Sequence, residues 1–230
     1  KKRQYYLELC KKKVKQNQSN VSEFDELTRM SLDSSYYELG VLYKENDDFE
    51  NALKSFKKSI ELNPKHSMSW YEIGIVYEQQ KNYDEAIKSY TESLRIKENS
   101  EAFQSLGVCY LKKGMLKEAY RNLVKAVLIN PNKYTIYNNL GAVFEKLGNY
   151  ESAVQMLEIG TKLNPNNTIG FYNLGIALDK KGEFGKAIQN YEKAVELGHK
   201  KSDEIKKRIK QLKGIIANIP IYKYGFKLGG

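Results

Sequence analysis

The sequence predicts an all-α chain, a solenoid of five helix-turn-helix units closed by a capping helix at each end. Three observations predict it. Glycine recurs at Gly40, Gly74, Gly107, Gly141 and Gly175, at steps of 34, 33, 34 and 34 residues. Alanine keeps the same steps twelve residues further on, at Ala52, Ala86, Ala119, Ala153 and Ala187. Another twelve residues on stand Pro64, Pro131 and Pro165, with Glu98 and His199 in the two remaining slots. Self-similarity at a period of roughly 20–50 residues marks a repeat array, in which each unit buries its apolar face only by stacking on its neighbours.

Residues 134–167 show why these residue types recur. Ile136, Tyr137, Leu140, Ala142, Val143 and Phe144 are apolar at helical spacing, and Tyr150, Ala153, Val154, Leu157 and Leu163 repeat the pattern after a Leu-Gly-Asn break. Two helices joined by a tight turn follow. Gly148 suits the left-handed position just past the first helix, and Asn149 suits the cap of the second. Gly141 lies in mid-helix, where glycine costs about 1 kcal/mol against alanine, so five such glycines require a packing reason. Close approach of the two helices is that reason: Gly in the first and Ala in the second hold no backbone apart, while Trp70, Phe103, Tyr137 and Phe171 fill the wider gaps. Proline then stops the second helix before the next unit begins.

Taken in order, residues 1–32 form a degenerate N-terminal cap. Its first helix is basic, with Tyr5, Tyr6, Leu9 and Val14 as inward positions; QNQSN interrupts it. A second short helix follows, capped by Ser22, with Phe24, Leu27, Met30 and Leu32 as its stripe. Repeats occupy 33–66, 67–99, 100–133, 134–167 and 168–201; the second is one residue short and lacks its proline. Residues 202–218 read as a C-terminal capping helix, begun by Asp203 and Glu204 and striped by Ile205, Ile209, Leu212 and Ile216. In the tail, residues 219–230, Pro220 ends that helix. Tyr222, Tyr224, Phe226 and Leu228 then alternate with Lys223, Gly225 and Lys227, an extended pattern. Three readings of this tail stand: a loose end, a segment packed back on the last repeats, or a strand that docks on another chain.

These residues resemble the tetratricopeptide repeat (TPR) family across roughly residues 33–201. The likeness rests on Trp70, Gly74, Tyr77, Tyr83, Ala86 and Tyr90 in one unit, and on Tyr137, Leu140, Gly141, Tyr150, Ala153 and Pro165 in another. It implies a right-handed α-solenoid whose first helices line a concave face that binds proteins or peptides. Carried over residue by residue, it implies a partner surface of Tyr37, Tyr71, Gln104, Asn138 and Tyr172 at the fifth place of each unit. Asn139 and Asn173 stand among the sixth places, and Ile75 and Val108 among the ninth. Relatives that grip a chaperone's C-terminal carboxylate use Lys at the fifth place and Asn at the ninth. This chain has neither, which argues against a chaperone clamp. Tyrosine offers large contact area with few rotatable bonds, and asparagine bonds a peptide backbone as donor and acceptor.

The formal net charge of +10 is concentrated at the ends. Residues 1–16 hold seven Lys or Arg against Glu8, residues 199–230 hold nine against Asp203 and Glu204, and the region between holds 22 basic and 25 acidic residues. The near-neutral repeats argue against nucleic acid as the main partner. Binding of nucleic acid or an anionic membrane surface through Lys11–Lys15 and Lys200–Lys213 remains the alternative class to a protein adaptor. No apolar run approaches the roughly 20 residues of a transmembrane helix. The chain starts at Lys1 without a methionine, which leaves localisation open: cytoplasmic, or tethered at the cell envelope if an N-terminal leader was removed.

For catalysis the inventory is thin. His66 and His199 lie in turns without Cys or carboxylates at ligand spacing, so no metal is expected. Cys109 fills the slot of Leu42, Val76, Val143 and Ala177 and reads as a core residue; with Cys10 far from it in sequence, no disulfide is expected. The glycines fall once per unit and form no phosphate-cradling loop. No enzyme and no cofactor is expected.

Overall fold

A computed structural model describes residues 2–19 and 26–218. Its twelve elements among these residues are all helices: α1 (Lys2–Ser19), α2 (Glu26–Glu45), α3 (Phe49–Leu62), α4 (Ser67–Gln79), α5 (Tyr83–Ile96), α6 (Ser100–Lys112), α7 (Leu116–Ile129), α8 (Tyr134–Lys146), α9 (Tyr150–Leu163), α10 (Thr168–Lys181), α11 (Phe184–Glu196) and α12 (Ser202–Ala217). The chain divides into two compact units, Lys1–Ile129 and Asn130–Gly230. In the first, each of α1 to α6 packs on its successor, and α2 also touches α4. In the second, each of α8 to α11 packs on its successor, and α8 also touches α10.

One turn geometry serves all five helix pairs. The backbone enters the left-handed region at Asp47, Lys81, Gly114, Gly148 and Gly182, with φ between 59° and 86°. The next residue's N–H reaches back to a carbonyl five residues earlier, as in Asn82 to Tyr77 at 2.8 Å and Asn149 to Phe144 at 2.9 Å, closing a Schellman turn. Asp48, Asn82 and Asn149 then cap the following helix, accepting from Asn51, Glu85 and Ser152 N–H groups.

The mid-helix glycines do more than admit an alanine. A Cβ on Gly40 would stand 2.6 Å from the Phe56 ring; on Gly74, 2.5 Å from Tyr90; on Gly107, 2.8 Å from Leu123; on Gly141, 2.5 Å from Leu157; and on Gly175, 2.5 Å from Tyr191. Each glycine thus floors a socket for the large residue one turn beyond the alanine. Tyr90, Phe56, Leu123 and Leu157 are completely or almost completely buried, and Tyr191 nearly so. Where the occupant is tyrosine, the first helix supplies an acid four residues after its glycine. Tyr90 Oη donates to Glu78 at 2.7 Å, and Tyr191 Oη to Asp179 at 3.3 Å, so a buried phenol keeps a partner.

Three expectations are corrected. Residues 26–45 form one helix, so the short helix expected before residue 33 is continuous with the first helix of the first repeat. In α1, Leu9 is exposed; Leu7, Cys10 and Val14, spaced three and four apart, face α2 and pack with Leu32, Leu39 and Tyr43. In α12, Ile205, Ile209 and Leu212 are buried but Ile216, at the helix end, is exposed. Ser22 and Phe24, and the side chains of Tyr5, Tyr6, Leu27 and Met30, lie outside what is described.

Candidate functional site

The predicted partner-surface positions all lie on the first helices of the repeats. In the first unit Tyr37 stands on α2, Tyr71 and Ile75 on α4, and Gln104 and Val108 on α6. In the second, Asn138 and Asn139 stand on α8, and Tyr172 and Asn173 on α10. All nine are half-buried. Tyr222, Tyr224, Phe226 and Leu228 lie outside the described residues.

The fifth-place tyrosines rest on the socket residues of their own units. Tyr37 lies 6.0 Å from the Phe56 ring and 5.1 Å from His66, and Tyr71 lies 5.5 Å from Tyr90. Tyr172 lies 6.2 Å from Tyr191 and stacks on His199 at 4.4 Å. Burial raises the Tyr37 and Tyr71 phenols, with the Glu72 carboxylate adding to the shift. Both therefore stay neutral donors at ordinary pH.

Several neighbouring groups are already committed. Glu72, at a sixth place, is buried in an ion pair with Lys44 of α2, and Glu38 meets Lys13 at 3.1 Å. Val41, Ile75 and Ile176 pack against the cores of their units, so the ninth-place ladder is shared between packing and surface. Asn138 Oδ1 is enclosed without a hydrogen-bond partner, 2.9 Å from where a Cβ on Gly160 would stand. Its carbonyl end faces α9.

Sequence reasoning missed the far wall beside Tyr172. Tyr172, Tyr191, Glu204, Ile205 and Arg208 line a hollow of about 190 Å³ where α10, α11 and α12 meet. Arg208 holds it in shape with a two-pronged contact to Asp179, Nε at 2.7 Å and Nη2 at 2.8 Å. Asp179 at the slot of Glu78 was the available signal: an acid that already takes the Tyr191 hydroxyl attracts the one arginine in a helix otherwise rich in lysine.

As for chemistry, Cys109 is fully buried and burial pushes its thiol up to about 12. Among the described residues no three His, Cys, Asp or Glu side chains gather as metal donors, and no helix is long and apolar enough to cross a membrane.

Tetratricopeptide repeat profiles match residues 31–99, 100–133, 134–167 and 169–200. Comparison with curated proteins finds no match. Among solved structures, the chain is similar to YrrB, described as a TPR protein with an unusual peptide-binding site. The two share 27% identity at a TM-score of 0.63, over 75% of this chain and 91% of that one. It is similar to MamA at 23% identity and a TM-score of 0.66, over 74% of this chain and 94% of that one. PilF of Pseudomonas aeruginosa shares 20% identity at a TM-score of 0.69, over 83% of this chain and 95% of that one. The last two likenesses concern the fold alone.

Proposed function

This chain belongs to the tetratricopeptide repeat family, and from that premise we propose that it is a protein-interaction adaptor whose first helices hold an extended segment of a partner protein. The observation that carries the reading is the setting of Tyr37, Tyr71 and Tyr172. Each is half-exposed on a first helix and backed by an aromatic ring of its own unit, so it presents contact area that is already ordered. Side chains ordered before binding lose less entropy on association, and rigid aromatic groups are the usual hot spots. Asn139 and Asn173 supply polar groups that read a peptide backbone whatever its side chains. The likeness to a peptide-binding TPR protein supports the same use of the fold. No lysine stands at any fifth place, so the segment is held otherwise than by a chaperone-type carboxylate clamp.

Tyr71→Ala combined with Asn139→Ala tests this. Both residues are half-buried and neither fills a socket, so the variant should keep its helical circular dichroism. Affinity capture from the native cell with wild-type and variant chains side by side should lose the main partner in the variant. An equal partner yield with a folded variant refutes the reading.

A further inference from the structure

A second hollow lies away from these tyrosines, between α1 and α2. Its volume is about 350 Å³, at the lower end of ordinary ligand pockets at roughly 300–1,000 Å³. Val14 and Leu39, 6% and 7% exposed, form an apolar floor. Along one rim α1 contributes Glu8, Lys11, Lys12 and Lys15, spaced to share one helical face. On the other side Tyr36 receives a hydrogen bond from Gln18, which closes that edge.

The rim is unevenly neutralised. Glu8 meets Lys11 at 2.9 Å, and Lys13, on the far side of α1, meets Glu38 at 3.1 Å. Lys12 and Lys15 meet no carboxylate among the described residues, yet they are close enough that both, after Lys11, help hold the Glu8 carboxyl below its usual range. Three ammonium groups thus border an apolar floor with one carboxylate between them.

We propose that this hollow binds an acidic protein segment, seating one aromatic or large aliphatic side chain on Val14 and Leu39 while flanking carboxylates meet Lys12, Lys15 and Lys11. A bilayer fits the site less well. A surface helix enters lipid with its apolar face, whereas α1 turns Leu7, Cys10 and Val14 toward α2 and leaves Leu9 outside. Single-stranded nucleic acid needs stacking platforms beside its cations, and the one ring among the described lining residues, Tyr36, is tied through its hydroxyl to Gln18. The site is independent of the first-helix surface proposed above: Tyr37 and Tyr71 are not part of it.

The test uses the full chain and a fluorescein-labelled peptide of eight glutamates around one central phenylalanine, followed by anisotropy. Three comparisons accompany it: the same peptide with serine for phenylalanine, vesicles of phosphatidylcholine with phosphatidylserine, and an oligothymidylate. Lys12→Glu with Lys15→Glu replaces two attractions by two repulsions at exposed positions and should weaken the peptide at least about tenfold. The serine peptide should bind several-fold more weakly than its parent, a change made in the probe and so independent of folding. Tyr71→Ala should leave the peptide's affinity unchanged even though it disables the proposed first-helix surface. The proposal is overturned if the parent peptide does not bind, if the reversed variant binds it equally, or if the serine peptide binds as well. It is also overturned if vesicles or oligothymidylate bind more tightly than the peptide and displace it.

Discussion

Gly74→Ala sets two physical effects against each other with opposite signs. In mid-helix, alanine is preferred to glycine by about 1 kcal/mol, and if propensity ruled, the variant would be more stable. The socket says otherwise. The new methyl group would stand 2.5, 2.6 and 3.0 Å from three atoms of the Tyr90 ring, against the 3.4–4 Å of ordinary contact. Relief requires the ring or the α4–α5 spacing to give by up to about 1 Å. The ring is wholly buried and its hydroxyl is tied to Glu78 at 2.7 Å, so it has nowhere to swing. Overpacking of this kind costs about 1–3 kcal/mol, and with a pinned ring the upper half of that range applies. After subtracting the propensity gain, Gly74→Ala should destabilise the chain by about 1–2 kcal/mol. Urea unfolding followed by circular dichroism at 222 nm measures it, and Tyr90→Ala in the Gly74→Ala background should recover part of the loss relative to Tyr90→Ala alone. A more stable Gly74→Ala single variant would refute the socket account.

The left-handed turns give a purely conformational pair. Nothing lies within 4 Å of a Cβ on Gly114 at φ 75°, so Gly114→Ala should cost about 1 kcal/mol through backbone strain alone, whereas Lys81→Gly, at φ 60°, should gain up to about 1 kcal/mol in the same urea assay. His66 makes one turn pH-sensitive. Its Nδ1 accepts the Ser69 N–H at 3.2 Å as the cap of α4, and burial beside Tyr37 lowers its pKa despite the opposing pull of Asp33. Because the folded value lies below the unfolded 6.5, the unfolded chain binds more protons. The contribution is complete above pH 6.5 and is lost as pH falls toward the folded value. His66→Asn, the residue found at the matching Asn99, should remove that part of the pH dependence in unfolding curves between pH 7.5 and 5; an unaltered profile would show that the cap does not titrate.

The fold was legible because the repeat states its glycine and alanine landmarks five times each, so that chance matches are averaged away. Gly148 and Asn149 announced both the turn and the cap that follows it. What lies above each mid-helix glycine was harder to see. Phe56, Tyr90, Leu123, Leu157 and Tyr191 share a slot but differ in chemistry, and their regularity shows only once the period has been fixed. The N-terminal helix misled at Leu9: Val14 is buried as expected, but Leu7 and Cys10 rather than Leu9 pack beside it, and only the contacts with α2 reveal that. The candidate surface was placed by family position. What those positions do next depends on tertiary neighbours that no spacing reveals, as with the Asn138 carbonyl turned onto α9 or the Glu72 carboxylate spent on Lys44.

The two thiols of this chain live in different chemical worlds. Cys109, on α6, is sealed against α5, in one cluster with Tyr90, and its proton is held far above neutral pH. Cys10 is half-buried in α1, with its thiol also raised by desolvation but with solvent at hand. Alkylating reagents need thiolate and access together. At Cys10 they meet a slow but open site; at Cys109 they meet none until the helices part. A mass tag appearing at Cys109 would therefore time the opening of the third repeat, giving the array a built-in clock for local unfolding that needs no engineered probe.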